Sequence, residues 1–278
     1  MVNGVDLLAR KDAVELLGLD EKIFDNYFKK AGEFNPADRN GGKGRFKFSK
    51  TLLEDWLKEY KWRSVTLDRD NYRMCLDFAL AMHFRGYVVS DWGTARQREF
   101  GQKLTNWIKG QLGEIAVKKF LRNKFSVDVE LDFELHDAIV PQDVTMVESR
   151  KPKLDVSIKS SKPKSAYLVL SPNEVDLKER KSDVYIFCRP DLPDDHLLRI
   201  TSEKIIEEVK NQQHFKLYEG EIPKFSPMPC EVAGFCYKQD LEKVRSIPGQ
   251  EFDGERYVKQ SGRLKRSKED WKELIDKL

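Results

Sequence analysis

The sequence predicts an α/β (α+β) protein: a mixed central sheet flanked by helices, preceded by a small helical domain. Three observations carry that expectation. Residues 9–60 place apolar side chains at helical spacing around a glycine-rich turn. Residues 70–121 continue with a broad helical stripe. Residues 127–188 then break into short alternating or continuous apolar runs separated by turn residues, the pattern of strands. With 278 residues, 40% of them hydrophobic, the chain can bury a full core in one large domain or two unequal ones. The change of pattern puts the division at residues 1–62 and 63–278.

The elements follow in order. Residues 9–19 read as a helix ending on Gly18, a residue suited to a turn. Asp20 can cap a second helix over 21–31 that buries Ile23, Phe24, Tyr27 and Phe28 and presents Lys22, Asn26, Lys29 and Lys30 on its other faces. The run 39–48 is a glycine-rich turn leading into alternating basic and aromatic residues, Lys43, Arg45, Phe46, Lys47 and Phe48. Between Arg39 and Lys50 there are five basic residues and no acid. A third helix over 50–60 closes the unit. From 65 to 121 the pattern is helical, interrupted at 86–93, with Glu114 on a partly apolar face near Ile115 and Ala116.

Strands are expected at 127–133, 139–147, 154–159 and 166–170. Ser171 and Pro172 mark a helix start, as cap and first helical residue. The continuous apolar run 183–188 suits a strand covered on both faces. A further strand is expected at 231–236, a closing one at 254–258, and a surface helix in the basic tail 259–278.

Composition excludes several classes. No run of eighteen apolar residues exists and residues 1–10 lack a signal-peptide core, so the expectation is a cytoplasmic protein with no membrane partner. Cys75, Cys188, Cys230 and Cys236 are scattered without a Cys-x-x-Cys pair, which argues against zinc and a disulfide framework, although Cys230 and Cys236 could pair. The four histidines show no metal-ligand spacing. No phosphate loop of the Walker type is present, so no nucleotide cofactor is expected. Net charge is only +3, so the placement of charge matters more than its sum.

The chemistry concentrates between Asp143 and Lys159. Asp143 follows Pro141-Gln142 on one short β-type run, and Asp155, Ser157 and Lys159 alternate onto one face of the next. An acid from a helix (Glu114), an acid from one strand and a lysine from the next can hold Mg²⁺ and activate a water, the minimum for cutting a phosphodiester. This arrangement resembles the PD-(D/E)XK nuclease superfamily, and within it the type II restriction endonucleases, over about residues 66–278. The resemblance implies a restriction-endonuclease-like core, a Mg²⁺ cofactor and double-stranded DNA as substrate, with cleavage of a palindrome suiting a homodimer. It implies Asp143 as the main metal ligand, Glu114 or Asp155 as the second, and Lys159 as the group that orients water or stabilises developing charge. The family pattern wants an acid where this chain has Ser157, and Asp155 lies ~7 Å further back along a strand.

Residues 1–62 are similar to the excisionase and MerR-like winged helix-turn-helix domains, in the Glu-Leu-Leu-Gly helix end and the Gly-Gly-x-x-x-Phe wing. That resemblance implies DNA contacts by Lys22, Asn26, Lys29 and Lys30 on the second helix and by Lys43, Arg45 and Lys47 on the wing. The bland reading of the same residues is a packing or dimerisation unit with solvated lysines. For the whole chain the alternatives are a structure-specific or repair nuclease of the same fold, or a DNA-binding regulator whose nuclease-like domain is inert.

Overall fold

The computed structural model describes residues 6–37, 46–84, 99–134, 143–177, 182–210 and 219–278. It is a mixed α+β structure, as the sequence pattern predicts.

The N-terminal unit opens with a short strand β1 (Leu7–Ala9), followed by helices α1 (Arg10–Leu17) and α2 (Glu21–Asn26). Gly18 ends α1 in the left-handed conformation that glycine adopts without steric cost. The Asp20 carboxylate accepts the backbone N–H groups of Lys22 and Ile23, two of the orphan donors at the start of α2. A π-helical turn, Tyr27–Ala31, prolongs α2. Strand β2 (Lys47–Ser49) pairs antiparallel with β1, and the Ala37 N–H bonds the Lys47 carbonyl at 2.8 Å. Lys43 and Arg45 of the expected wing lie outside the described residues. Helix α3 (Lys50–Arg63) closes the unit three residues beyond its predicted end. Phe24, Tyr27, Phe28, Phe34, Phe48 and Trp56 form a local aromatic core.

Strand β3 (Ser64–Leu67) follows where the sequence suggested helix. Its partner is β9 (Met228–Tyr237), far along the chain, so tertiary pairing sets its conformation. Helix α4 (Arg69–Phe84) packs against the long helix α5 (Phe100–Phe125). The expected turn at 86–93 falls outside the described residues. Residues Gln111 to Val117 of α5 are all buried, so its middle is enclosed on every side rather than along one stripe.

Strands β4 (Val129–Leu131) and β5 (Val144–Val147) form an antiparallel pair. Strand β6 (Val156–Ser160), strand β7 (Tyr167–Leu170) and the short helix α6 (Pro172–Asp176) follow, then β8 (Val184–Pro190), every residue of which is buried. Ser171 and Glu174 form a reciprocal capping box, with Pro172 as the first helical residue. Helix α7 (His196–Val209) has no counterpart among the elements expected from the sequence. Strand β9 (Met228–Tyr237) is followed by the hairpin β10 (Glu242–Ile247) and β11 (Gln250–Gln260), and α8 (Lys268–Lys277) ends the chain.

The central sheet runs β3-β9-β8-β6, antiparallel except that β6 and β8 are parallel, and a second sheet runs β10-β11-β7. One face of the central sheet carries Val156, Ile158, Ile186, Val232 and Phe235 against α5. The other carries Tyr185, Phe187, Ala233 and Cys236 against Leu168, Leu170 and Val175. The four cysteines are buried free thiols. Cys230 and Cys236, a pair the spacing left open, lie six residues apart on the single strand β9 and in different apolar clusters, which no disulfide can span. No helix among the described residues is long and apolar enough to cross a membrane.

The boundary near residue 62 falls inside α3, and the units on either side interlock through charge. Glu33, fully buried, lies 2.7 Å from Arg189 Nη2 of β8 and also pairs with Arg266. Ser261 Oγ donates to the same Glu33 carboxylate at 2.7 Å. Arg63, also fully buried, pairs with Glu231 of β9 at 3.0 Å, and Arg189 stacks over Tyr27 with its guanidinium 4.6 Å from the ring centre.

Candidate active site

The geometry at β6 starts from how the β4–β5 hairpin meets it. The Asp143 N–H donates to the Val156 carbonyl at 3.0 Å, a sheet-like bond that joins the two strands. The next bond is not made by backbone. The Asp143 Oδ2 atom takes that place, accepting the Ile158 N–H at 2.5 Å and the Ser157 hydroxyl at 3.0 Å. The hairpin therefore splits from β6 at a carboxylate. A buried strand-edge N–H without an acceptor costs free energy comparable to that of a broken hydrogen bond, so Asp143 is held by the sheet it borders.

Glu114 arrives from α5. Gly113 lets the helix sit directly on β6: a Cβ there would lie 1.9 Å from Ser160 Oγ and 3.2 Å from the Cβ atoms of Ser160 and Cys188, so a larger residue would displace Ser160. The next residue, Glu114, is 7% exposed in the enclosed middle of the helix. Its one hydrogen bond among the described residues comes from Gln111 Nε2 at 3.1 Å. Burial pushes its carboxyl well above the usual range, and the charge of Asp143 pushes it further, while Lys159 partly offsets both. A carboxylic acid placed where charge is this costly makes Glu114 a candidate functional group.

Lys159 lies two residues beyond Ser157 on β6, and its Nζ sits 3.2 Å from Glu174 Oε1 at the start of α6. Burial alone would raise the Glu174 carboxyl, but Lys159 and the Ser171 N–H hold it below its ordinary value. The sequence marks Glu174 only as part of a helix start; the capping box is the readable signal, and the ion pair is not. Two other residues escape the sequence reading. Gln111 donates to Glu114, and its own Oε1 is buried without a hydrogen-bond partner among the described residues. Asp132, just after β4, adds a negative charge felt by Glu114.

Asp155 does not join this group. It precedes β6 rather than alternating along it: its carbonyl accepts the N–H groups of Asp183 and Val184, and its N–H donates to Asp183 Oδ2. Of the two acids expected as the second ligand, Asp155 is thus tied to the start of β8, and no group of three His, Cys, Asp or Glu side chains among the described residues converges as a metal site. The acids brought into mutual influence are Asp143 and Glu114, with the Ser157 hydroxyl on Asp143 and Lys159 close by.

The N-terminal residues divide. Lys22 and Lys47 are exposed, while Lys29 is spent on an ion pair with Asp25 at 2.8 Å. Asn26 and Lys30 face the body of the protein instead of presenting an open helix surface. Asn26 Nδ2 donates to the Lys164 carbonyl at 3.0 Å, and Lys30 lines a cavity that also reaches Lys159. The expectation that all four helix residues meet an open groove is corrected for these two. Their one-turn spacing puts them on the same face as Tyr27, whose hydroxyl donates to the Pro163 carbonyl.

Compared with protein-family models, with characterised proteins and with solved structures, the chain matches none.

Proposed function

We propose that the protein is a Mg²⁺-dependent, sequence-specific double-stranded DNA endonuclease of the type II restriction class, with an N-terminal winged helix-turn-helix module that adds DNA contacts. The observation that carries this reading is the split of the β4–β5 hairpin from β6 at Asp143, with the buried acid Glu114 in electrostatic reach and Lys159 two residues beyond the split. The order α5, β4, β5, β6, β7, α6, β8, with β8 parallel to β6, supports a restriction-endonuclease-like core.

The residues fit a hard divalent cation. Mg²⁺ takes oxygen donors and is commonly bound by one or two carboxylates with water filling the remaining positions. Asp143 and Glu114, which lie within electrostatic reach, would be such a pair, and Gln111 Oε1, which has no hydrogen-bond partner among the described residues, is a further oxygen able to hold a bound water. When bound, the cation would lower the pKa of a water and neutralise charge on the phosphate. The chain's own residues do the rest. Ser157 and the Ile158 N–H fix one oxygen of Asp143, so the carboxylate is preorganised. Lys159 would supply a positive charge for the pentavalent phosphorane, and Glu174 holds that ammonium in place at 3.2 Å. Cleavage of a two-fold symmetric site would suit a homodimer.

A second reading, a DNA-binding protein with an inert nuclease-like domain, draws on two specific facts: Ser157 stands where an acid is expected, and Lys159 is engaged by Glu174. One experiment separates them. Supercoiled plasmids of different sequence are incubated with the full chain and Mg²⁺ or EDTA. Discrete Mg²⁺-dependent fragments support the restriction reading, and smearing or branched-substrate preference supports a repair nuclease. Shifted but uncut DNA overturns catalysis and leaves a binding protein.

A further inference from the structure

A cavity of about 410 Å³ lies between the N-terminal unit and the body, walled by α2 and its π-turn, residues 160–169, Phe187 of β8 and the tip of the β10–β11 hairpin. Three of its lining side chains are lysines, Lys30, Lys159 and Lys164, and no carboxylate lines it. Lys159 pairs with Glu174, whereas among the described residues neither Lys30 nor Lys164 pairs its ammonium with an acid. Their backbones are tied down: Gln260 Nε2 donates to the Lys30 carbonyl at 2.6 Å and Asn26 Nδ2 to that of Lys164 at 3.0 Å. Fixed backbones with uncommitted cationic heads favour an anion that carries its own hydrogen-bond acceptors.

The rest of the lining narrows the ligand. Tyr167, Leu168, Ile247 and Pro248 give the cavity an apolar side, and its volume is within the ~300–1,000 Å³ typical of small-molecule sites. A bare phosphate ion would leave that side unused. We propose that the cavity is a nucleotide subsite, which takes the phosphate of one nucleotide against Lys30, Lys164 and Lys159 and its sugar and base against Tyr167 and Pro248. The inference rests on the nucleic-acid reading above and deepens it. Lys159 joins the two places, since it lines the cavity and its charge reaches Glu114. A nucleotide held here would fix the strand relative to the acids across the junction of the two units.

The test uses the full chain in EDTA, with thymidine 5′-monophosphate, thymidine and inorganic phosphate titrated separately and followed by NMR of the ligand. The monophosphate should bind at least tenfold more tightly than either thymidine or phosphate. The double variant Lys30→Gln, Lys164→Gln should lose at least tenfold of that affinity with its melting temperature unchanged, because neither ammonium is paired. Equal binding of phosphate and nucleotide, or a double variant that binds as well as the parent, would overturn the subsite. Plasmid cleavage with Mg²⁺, measured in parallel, keeps the two readings apart. Cutting without nucleotide binding sinks the subsite alone, and binding without cutting sinks the nuclease alone.

Discussion

Glu33→Gln is the most direct probe of how the N-terminal unit is joined to the rest. Glu33 is fully buried between Arg189 and Arg266 and accepts a hydrogen bond from Ser261. Burial alone would raise its carboxyl, but Arg189, then Arg266 and Arg63, outweigh that and hold it down at about 2, against an ordinary 4.5. By linkage that difference corresponds to roughly 3 kcal/mol of stability at neutral pH. Removing one partner of a buried ion pair costs about 3–5 kcal/mol, a figure of the same order. The substitution keeps size and shape and deletes only the charge. Urea unfolding at pH 7 should show a loss of about 3 kcal/mol, and the melting temperature should fall by about 6–10 °C. The sign with pH follows from the depressed value: the contribution is present above pH 4.5 and is lost as pH falls through about 2. Parent and variant should therefore converge in acid. A loss below about 1 kcal/mol at pH 7, or a gap that widens in acid, would refute the argument. The same network predicts that deleting residues 1–62 removes Glu33 from Arg189, leaves it only Glu231 among the described residues, and so destabilises the remaining chain.

Three further outcomes are expected. Asp143→Asn should abolish Mg²⁺-dependent cleavage while keeping an oxygen for the Ile158 N–H, whereas Asp143→Ala should also cost about 1–3 kcal/mol in urea unfolding, because it leaves that donor unsatisfied. Glu114→Gln should abolish cleavage without lowering the melting temperature of the metal-free protein, since an amide is cheaper to bury than a carboxylate; retained cleavage would remove Glu114 from the site. Neutralising Lys43, Arg45 and Lys47 together should flatten the fall of log DNA affinity with log salt by about 0.9 for each phosphate no longer neutralised, and an unchanged slope would leave the wing without a role in binding.

The parts of this structure that local pattern governs were legible in the sequence. The continuous apolar run at 183–188 is a strand buried on both faces, and Ser171-Pro172 does start a helix. The parts governed by distant partners were not. Residues 64–67 are too few to show a period, and β9 makes them a strand. Strand β10 presents a mostly exposed, charged sequence with no apolar face to read, and it exists as the outer partner of β11. The Glu33–Arg189 pair joins residues 156 positions apart, so nothing local announces it. One signal was available: Arg189 ends an otherwise apolar strand, and a buried guanidinium there demands an acid from elsewhere.

The same division explains the candidate site. Alternation put Asp155 on one face with Ser157 and Lys159, but alternation holds only inside a strand, and β6 begins at Val156. At that strand start the backbone of Asp155 is tied to Asp183 and Val184, where β8 begins. Ser157 is the more instructive case. Beside a pattern that wants an acid, it is a deficiency; in the fold, its hydroxyl and the neighbouring Ile158 N–H both grip one oxygen of Asp143. A carboxylate at 157 would face Asp143 with like charge in a buried setting where Glu114 is already forced toward its neutral form. With an acid supplied from α5 instead of from β6, the strand position is free to hold a donor. The serine and the helix glutamate thus complement each other: the second acid stands buried on α5, and the Ser157 hydroxyl on β6 donates to Asp143 instead of repelling it.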